Sequence, residues 1–293
     1  MNLSLFFTQF INGLQTGSIY ALVALGYSMV YGIILLLNFA HGDVIMIGAY
    51  SLFYALVQFH FHPVLAAIVA VAASTIVGLL IQQIAYRPLL NAPRLSLLIT
   101  AIAMSFLLQN GAQILFGADA KSLDPLVPGS LQLGSTSISY AAIVTLFVSV
   151  LSMIGLTLLV SRSKRGQAMR AVSEDMDAAR LMGIDVNRTI AFTFLIGSAL
   201  AGIGAVLYVS SYPQVSPTMG SMLGLKAFVA AVLGGIGSLP GAMVGGLLIG
   251  ILEVLASAVG LSIWKDAVVF AILILVLLFK PDGIMGVTRR EKV

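Results

Sequence analysis

From Leu5 to Phe279 the chain is a succession of apolar runs, most of them near the length of a bilayer crossing, joined by short polar breaks. A helix needs about 20 apolar residues to cross hydrocarbon, where every backbone N–H and C=O must be bonded within the segment. The runs are 5–37, 44–59, 63–86, 95–116, 140–161, 189–209, 223–237, 240–260 and 263–279. They predict an all-α integral membrane protein of about eight transmembrane helices, with 5–37 long enough to hold a break. Residues 1–293 then form one polytopic domain. Composition agrees: 59% of residues are hydrophobic and 9% are charged, against about 25% charged in soluble domains.

The few charges orient the chain. Arg87 and Arg94, six bases within 162–188, and a tail with Lys280, Arg289, Arg290 and Lys292 mark the cytoplasmic side, because basic loops stay inside. Residues 117–139 and 210–221 are then external loops, and counting back from Arg87 places the N-terminus outside. The net charge of +4 is small and gathered in those segments, so nucleic acid is not implied as a partner. Cysteine is absent, which removes disulfides, thiolate metal sites and a cysteine nucleophile. No basic residue precedes the first apolar run, so the start does not resemble a cleaved signal peptide.

The polar stretch 162–188 predicts a short helix from Glu174 to Met182. Ser173 is a candidate N-cap, Glu174, Asp175 and Asp177 suit the positive end of the dipole, and Gly183 suits the left-handed stop. Met176, Ala179 and Gly183 share a narrow face of small or soft side chains, fit for a groove on another protein. The same facts also describe a capped helix in an ordinary cytoplasmic loop.

Two Gly-containing interruptions resemble each other, Asn38 to Gly48 and Gly234-Gly235-Ile236-Gly237-Ser238-Leu239-Pro240-Gly241. Interrupted segments in corresponding halves point to a translocation site built from inverted repeats. They fit equally well as turns, with Gly237, Gly241 and Gly245 as a packing ridge. The ionisable groups nearest to hydrocarbon are His41, Asp43, Lys226 and Glu253. Such groups mark a pathway, a relay or an ion pair. The plainer readings are a solvated cytoplasmic turn for His41 and Asp43, and a snorkelling side chain for Lys226. Asn38, His41, Asp43, Gly234, Gly235, Gly237 and Glu253 are the candidate pathway residues. No catalytic constellation and no metal set is recognised. A G-x-x-x-x-G-K-[ST] phosphate loop is absent from the sequence, so the chain does not energise transport itself.

Asp177-Ala178-Ala179-Arg180-Leu181-Met182-Gly183 resembles the EAA-x-x-x-G loop by which ABC importer permeases dock on their ATPases, with Asp in place of Glu. Gly26-Tyr27-Ser28-Met29-Val30-Tyr31-Gly32, Asn38-Phe39-Ala40-His41-Gly42, Tyr86-Arg87-Pro88-Leu89 and the stretch from Ala230 to Gly246 resemble the LivH/LivM permease family of branched-chain amino acid importers. The resemblance covers nearly the whole chain. It implies a multi-pass inner-membrane permease subunit for leucine, isoleucine and valine, in contact with membrane lipid. It also implies a LivM-like second permease, two ATPase subunits that bind ATP-Mg, and a periplasmic binding protein. The chain itself then needs no cofactor and is not an enzyme. Glu174, Asp177, Ala178, Ala179 and Gly183 become the ATPase-coupling residues. Two rivals remain: a permease of the same family for urea or short amides, and an ion-coupled secondary transporter with Asp43 or Glu253 at the driving ion.

Overall fold

The computed structural model describes residues 3–34, 38–90, 92–133 and 136–286. Residues 35–37 of the first apolar run and Arg289, Arg290 and Lys292 of the basic tail lie outside the described residues. Eleven α-helices are found among the described residues: α1 (Leu3–Ile34), α2 (His41–Val57), α3 (Pro63–Ile81), α4 (Arg94–Phe116), α5 (Tyr140–Arg162), α6 (Lys164–Glu174), α7 (Met176–Leu181), α8 (Val186–Ser211), α9 (Met219–Gly234), α10 (Leu239–Ala258) and α11 (Lys265–Phe279). Among the described residues seven segments are long and apolar enough to cross a membrane, while α2 and α9 are shorter apolar helices. The chain is therefore an all-α, multi-pass membrane protein, as the apolar runs predict.

Helix α1 is the axis of the bundle. Of its most apolar window 89% is buried, against 6% for the last span. It packs along α10, with Gly13 and Gly17 against the backbone of α10 and Gly246 and Gly250 against that of α1. Small residues allow this approach, and in lipid close packing substitutes for the missing hydrophobic drive. The outer helices α3, α4 and α5 turn large apolar side chains outward, among them Ile68, Ile99, Leu107, Phe147 and Leu151, as a lipid-facing surface requires.

The contacts reveal an inverted repeat. Exchange α1, α2 and α3 with α8, α9 and α10, and each helix contact maps onto another that exists. The α1–α10 contact becomes α8–α3, α2–α3 becomes α9–α10, and α1–α9 becomes α8–α2. Both α3 and α10 begin with a proline in their first turn, where its missing N–H has no intrahelical role. Gly42 and Gly220 each hold the second position of their helix, and a Cβ on either would collide with the other's carbonyl oxygen. The pseudo-two-fold therefore runs through two short helices that meet at their N-terminal ends.

Outside the membrane, β1 (Lys121–Ser122) pairs antiparallel with β4 (Gln214–Val215), and β2 (Ser130–Leu133) with β3 (Thr136–Ser139). The first pair joins the two loops read as external, so both lie on one face. Lys121 donates to the Tyr54 hydroxyl at 2.8 Å, which places the end of α2 there too.

Candidate functional site

Four places carry polar chemistry: the crossing of α2 and α9, an outward cavity, a buried ion network, and the helices of the cytoplasmic loop.

At the crossing, Gly42 faces Gly220 and Gly224, and the Tyr27 hydroxyl lies 3.1 Å from where a Cβ on Gly224 would sit. The His41 ring lies edge-on to Tyr27, centroids 4.7 Å apart, and covers Gly26. His41 and Asp43 are each 1% exposed. His41 Nε2 and both Asp43 oxygens have no hydrogen-bond partner of ordinary geometry, although Ser105 and Gln109 of α4 flank the carboxylate. Asn38 is also buried, its side-chain oxygen accepting from the Tyr86 hydroxyl at 3.2 Å. These residues do not form a solvated cytoplasmic turn. Helix α1 runs on past them for two more turns, and α2 starts inside the bundle beside Gly26.

Gly234, Gly235 and Gly237 lie elsewhere. They form the hairpin between α9 and α10, with φ of 109° at Gly235 and 87° at Gly237, values that a side chain disfavours. Gly237 N–H donates to Ser28 Oγ at 2.9 Å, near the end of α1. The two interruptions paired in the sequence are thus not counterparts. The repeat matches Asn38–Gly48 with the start of α9, around Gly220. The hairpin instead serves packing, with Gly241 against Gly234 and Gly245 against Ala230.

The outward cavity encloses about 650 Å³. Gln9, Asn12, Gln15 and Thr16 line it from α1, where spacings of three and four put them on one face. Ser211 and Tyr212 close the opposite wall through bonds to Gln15 (2.6 Å) and Thr16 (3.2 Å). Glu253, Ser257 and Lys265 complete it.

Glu253 is the hub of the ion network. Its Oε1 lies 2.7 Å from Lys226 Nζ and 3.2 Å from Lys265 Nζ, and its Oε2 accepts from the Tyr20 hydroxyl at 2.7 Å. Lys226 also pairs with Asp266 at 2.7 Å. Two cations and two anions leave the network neutral, and it ties α1, α9, α10 and α11 together. Lys226, 5% exposed, does not snorkel. Two carboxylates lie 2.7 Å from its ammonium, and a paired burial costs less than an unpaired one. Tyr20, Lys265, Asp266 and Gly220 escape the sequence reading. The polar stripe on an apolar helix and the charged dipeptide opening the last span were the available signals.

The cytoplasmic loop holds two helices, not one. Ser163 caps α6 through Gly166 N (2.9 Å), and Asp175 caps α7 through the N–H groups of Asp177 (2.8 Å) and Ala178 (2.9 Å). Ser173 is not the N-cap; its hydroxyl donates to Arg170 O within α6, and Glu174 ends that helix. The carboxylate of Asp175, two residues on, takes the capping role because its backbone is extended (φ −158°) where the chain breaks. Gly183 is left-handed at φ 81° as expected. The small face is turned the other way from the expectation: Met176 and Ala179 pack inward, and Ala179 is 3% exposed. Asp177, Ala178, Leu181 and Met182 face out, with Leu181 89% and Met182 82% exposed.

Comparison with known proteins gives relatives over this whole architecture. The family profile described as branched-chain amino acid transport system / permease component matches residues 9–277. The chain is 48% identical to the high-affinity branched-chain amino acid transport system permease protein BraD of Pseudomonas aeruginosa, over 97% of each chain. It is 44% identical to the corresponding LivH proteins of Salmonella typhimurium and Escherichia coli, over 98% of each.

Proposed function

The chain belongs to the family of branched-chain amino acid transport permeases, and from that premise we propose that it is the permease subunit of an ABC importer carrying leucine, isoleucine and valine across the inner membrane. The observation that carries the reading is identity of 44–48% along nearly the full length of permeases of that named activity.

Its partners are a second, LivM-like permease, two ATPase subunits binding ATP-Mg, and a periplasmic binding protein. The chain itself does no chemistry on the substrate. The binding protein delivers the amino acid to the outward cavity, whose amide and hydroxyl groups from Gln9 to Thr16 replace water around a zwitterion. The close contact of Gly42 with Gly220 shuts the way onward. On the cytoplasmic face, the ATPase receives α7 through Asp177, Ala178, Leu181 and Met182, with Asp175 and Gly183 fixing the helix ends. Ala179 acts behind that face, holding α7 on its neighbours, and Glu174 closes α6 at the break between the two helices. When ATP draws the ATPases together, α7 moves and the two inverted halves rock about their crossing.

The network around Glu253 argues against that carboxylate as the driving-ion site of an ion-coupled carrier. Two lysine ammonium groups within 3.2 Å of its Oε1 repel any further cation from that carboxylate.

The test is uptake into proteoliposomes holding the full complex. Labelled leucine should accumulate only with ATP and binding protein, and a proton uncoupler should leave it intact. Leu181→Glu with Met182→Glu should leave the permease inserted while ATPase copurification and uptake fall together. Uptake driven by an ion gradient without ATP would overturn the reading, and accumulation of urea or acetamide in place of leucine would move it to the amide branch of the family.

A further inference from the structure

A second cavity, of about 590 Å³, opens on the cytoplasmic side between the start of α8, the end of α3 and the base of α6. Its charged lining is Arg165, Arg188 and Asp185, and its apolar lining includes Leu79, Phe192 and Leu195. Nothing in amino acid transport requires it.

The arginines are disposed at its mouth. The Arg165 guanidinium lies 4.6 Å over the Phe192 ring, which holds it flat against the wall by cation–π attraction, and it forms no ion pair among the described residues. Arg188 gives its Nε to Asp185 at 3.0 Å, which leaves the two terminal nitrogens of the fork for an outside acceptor. One carboxylate against two guanidiniums leaves the mouth positive. Next to Leu79, Ile76 and Leu80 on the outer face of α3 are 57% and 47% exposed, and Ile84 in the turn that follows α3 is 68% exposed. That face meets lipid tails.

We propose that this cavity is a binding site for an anionic phospholipid of the inner leaflet. The phosphate sits between Arg165 and Arg188, where planar forks match its oxygens. The acyl chains lie along Leu79, Leu195 and the exposed row of α3. Basic pockets between spans at the cytoplasmic interface are the usual setting for such headgroups. Because α6 and α8 flank α7, a lipid wedged there braces the base of the docking helix. The inference needs only that the chain spans the bilayer with 162–188 inside, so it survives if the transported substrate proves different.

The test is lipid retention by the purified permease complex, read by native mass spectrometry after exchange into detergent with phosphatidylglycerol or phosphatidylcholine. The complex should retain phosphatidylglycerol in preference. Arg165→Gln or Arg188→Gln should weaken retention roughly fivefold, and the pair together about thirtyfold, from about 1 kcal/mol per base near an anionic surface. Arg165→Lys with Arg188→Lys should keep most of it. Inorganic phosphate at millimolar concentration should not compete, since it lacks the chains that fill the apolar wall. Equal retention of the two lipids by the unaltered complex would overturn the proposal, and needs no variant to fold. So would loss of ATPase copurification in the double glutamine variant with phosphatidylglycerol retention unchanged, because the cavity would then belong to a protein contact.

Discussion

Helices α2 and α9 are counterparts in an inverted repeat, yet they treat buried charge in opposite ways. The half built on α9 carries Lys226 with Glu253, Asp266, Lys265 and Tyr20 around it, every charge within 3.2 Å of an opposite one. The half built on α2 carries His41 and Asp43 at the crossing with no ordinary hydrogen-bond partner for His41 Nε2 or the carboxylate. A closed network resists movement, because parting its members exposes charge to hydrocarbon. His41 and Asp43, the latter flanked by Ser105 and Gln109, hold no ion pair that a shift of their surroundings would part. The difference teaches that buried charge ties α9, α10 and α11 to α1, while no ion pair among the described residues ties α2 to its neighbours.

The contrast is most exposed to attack at Glu253. Replacing it by Gln leaves two lysines to share the single carboxylate of Asp266, and removal of one partner from a buried pair costs about 3–5 kcal/mol. Yield and thermal stability in detergent should drop sharply, and Lys226→Met combined with Glu253→Leu should recover part of the loss. Stability unchanged in Glu253→Gln would mean the network holds nothing together. Next comes Gly42→Val. Its Cβ meets the Gly220 carbonyl, backbone that cannot rotate away, so overpacking of about 1–3 kcal/mol at the crossing should lower uptake roughly fivefold to 150-fold. Gly220→Val should match it, since the contact is reciprocal. Unequal effects would break the symmetry on which the comparison rests. Tyr86→Phe removes the bond to Asn38 and should cost about 1 kcal/mol, visible as a small fall in melting temperature. The mildest effect belongs to Asp43→Asn. With no ion pair to lose and the side-chain shape kept, yield should fall far less than in Glu253→Gln, and the larger deficit should appear in uptake. A collapse as deep as that of Glu253→Gln would abolish the distinction between the halves.

Much of this was legible in the sequence because the bilayer imposes a length on every crossing. The spans, the external loops and the left-handed Gly183 follow from hydropathy, basic residues and local backbone rules. Three things were not legible, each because it depends on what lies far along the chain. The pairing of Lys226 with Glu253 and Asp266 needs three helices brought together. The sequence leaves an ion pair and snorkelling both open for Lys226, and nothing local in it names the partner. The crossing of Gly42 with Gly220 was hidden by the louder run of glycines at 234–241, which turned out to make a hairpin. The orientation of α7 is not written in its sequence, because Ala179 and Met176 suit either a partner's groove or the protein's own core, and packing inward settles it. Asp175 displaced Ser173 as cap for a local reason, the extended residue at the break.

The account rests on two inverted halves that leave a vestibule open outward and α6 and α7 inside. The absence of cysteine allows a direct measurement with single-cysteine variants and a membrane-impermeant maleimide on intact spheroplasts. Asn12→Cys, on the exposed face of α1 in the outward cavity, should label at once from outside. Gln167→Cys, exposed on α6, should label only after the membrane is opened. Labelling of Gln167→Cys from outside, with Asn12→Cys protected, would invert the orientation and contradict the account.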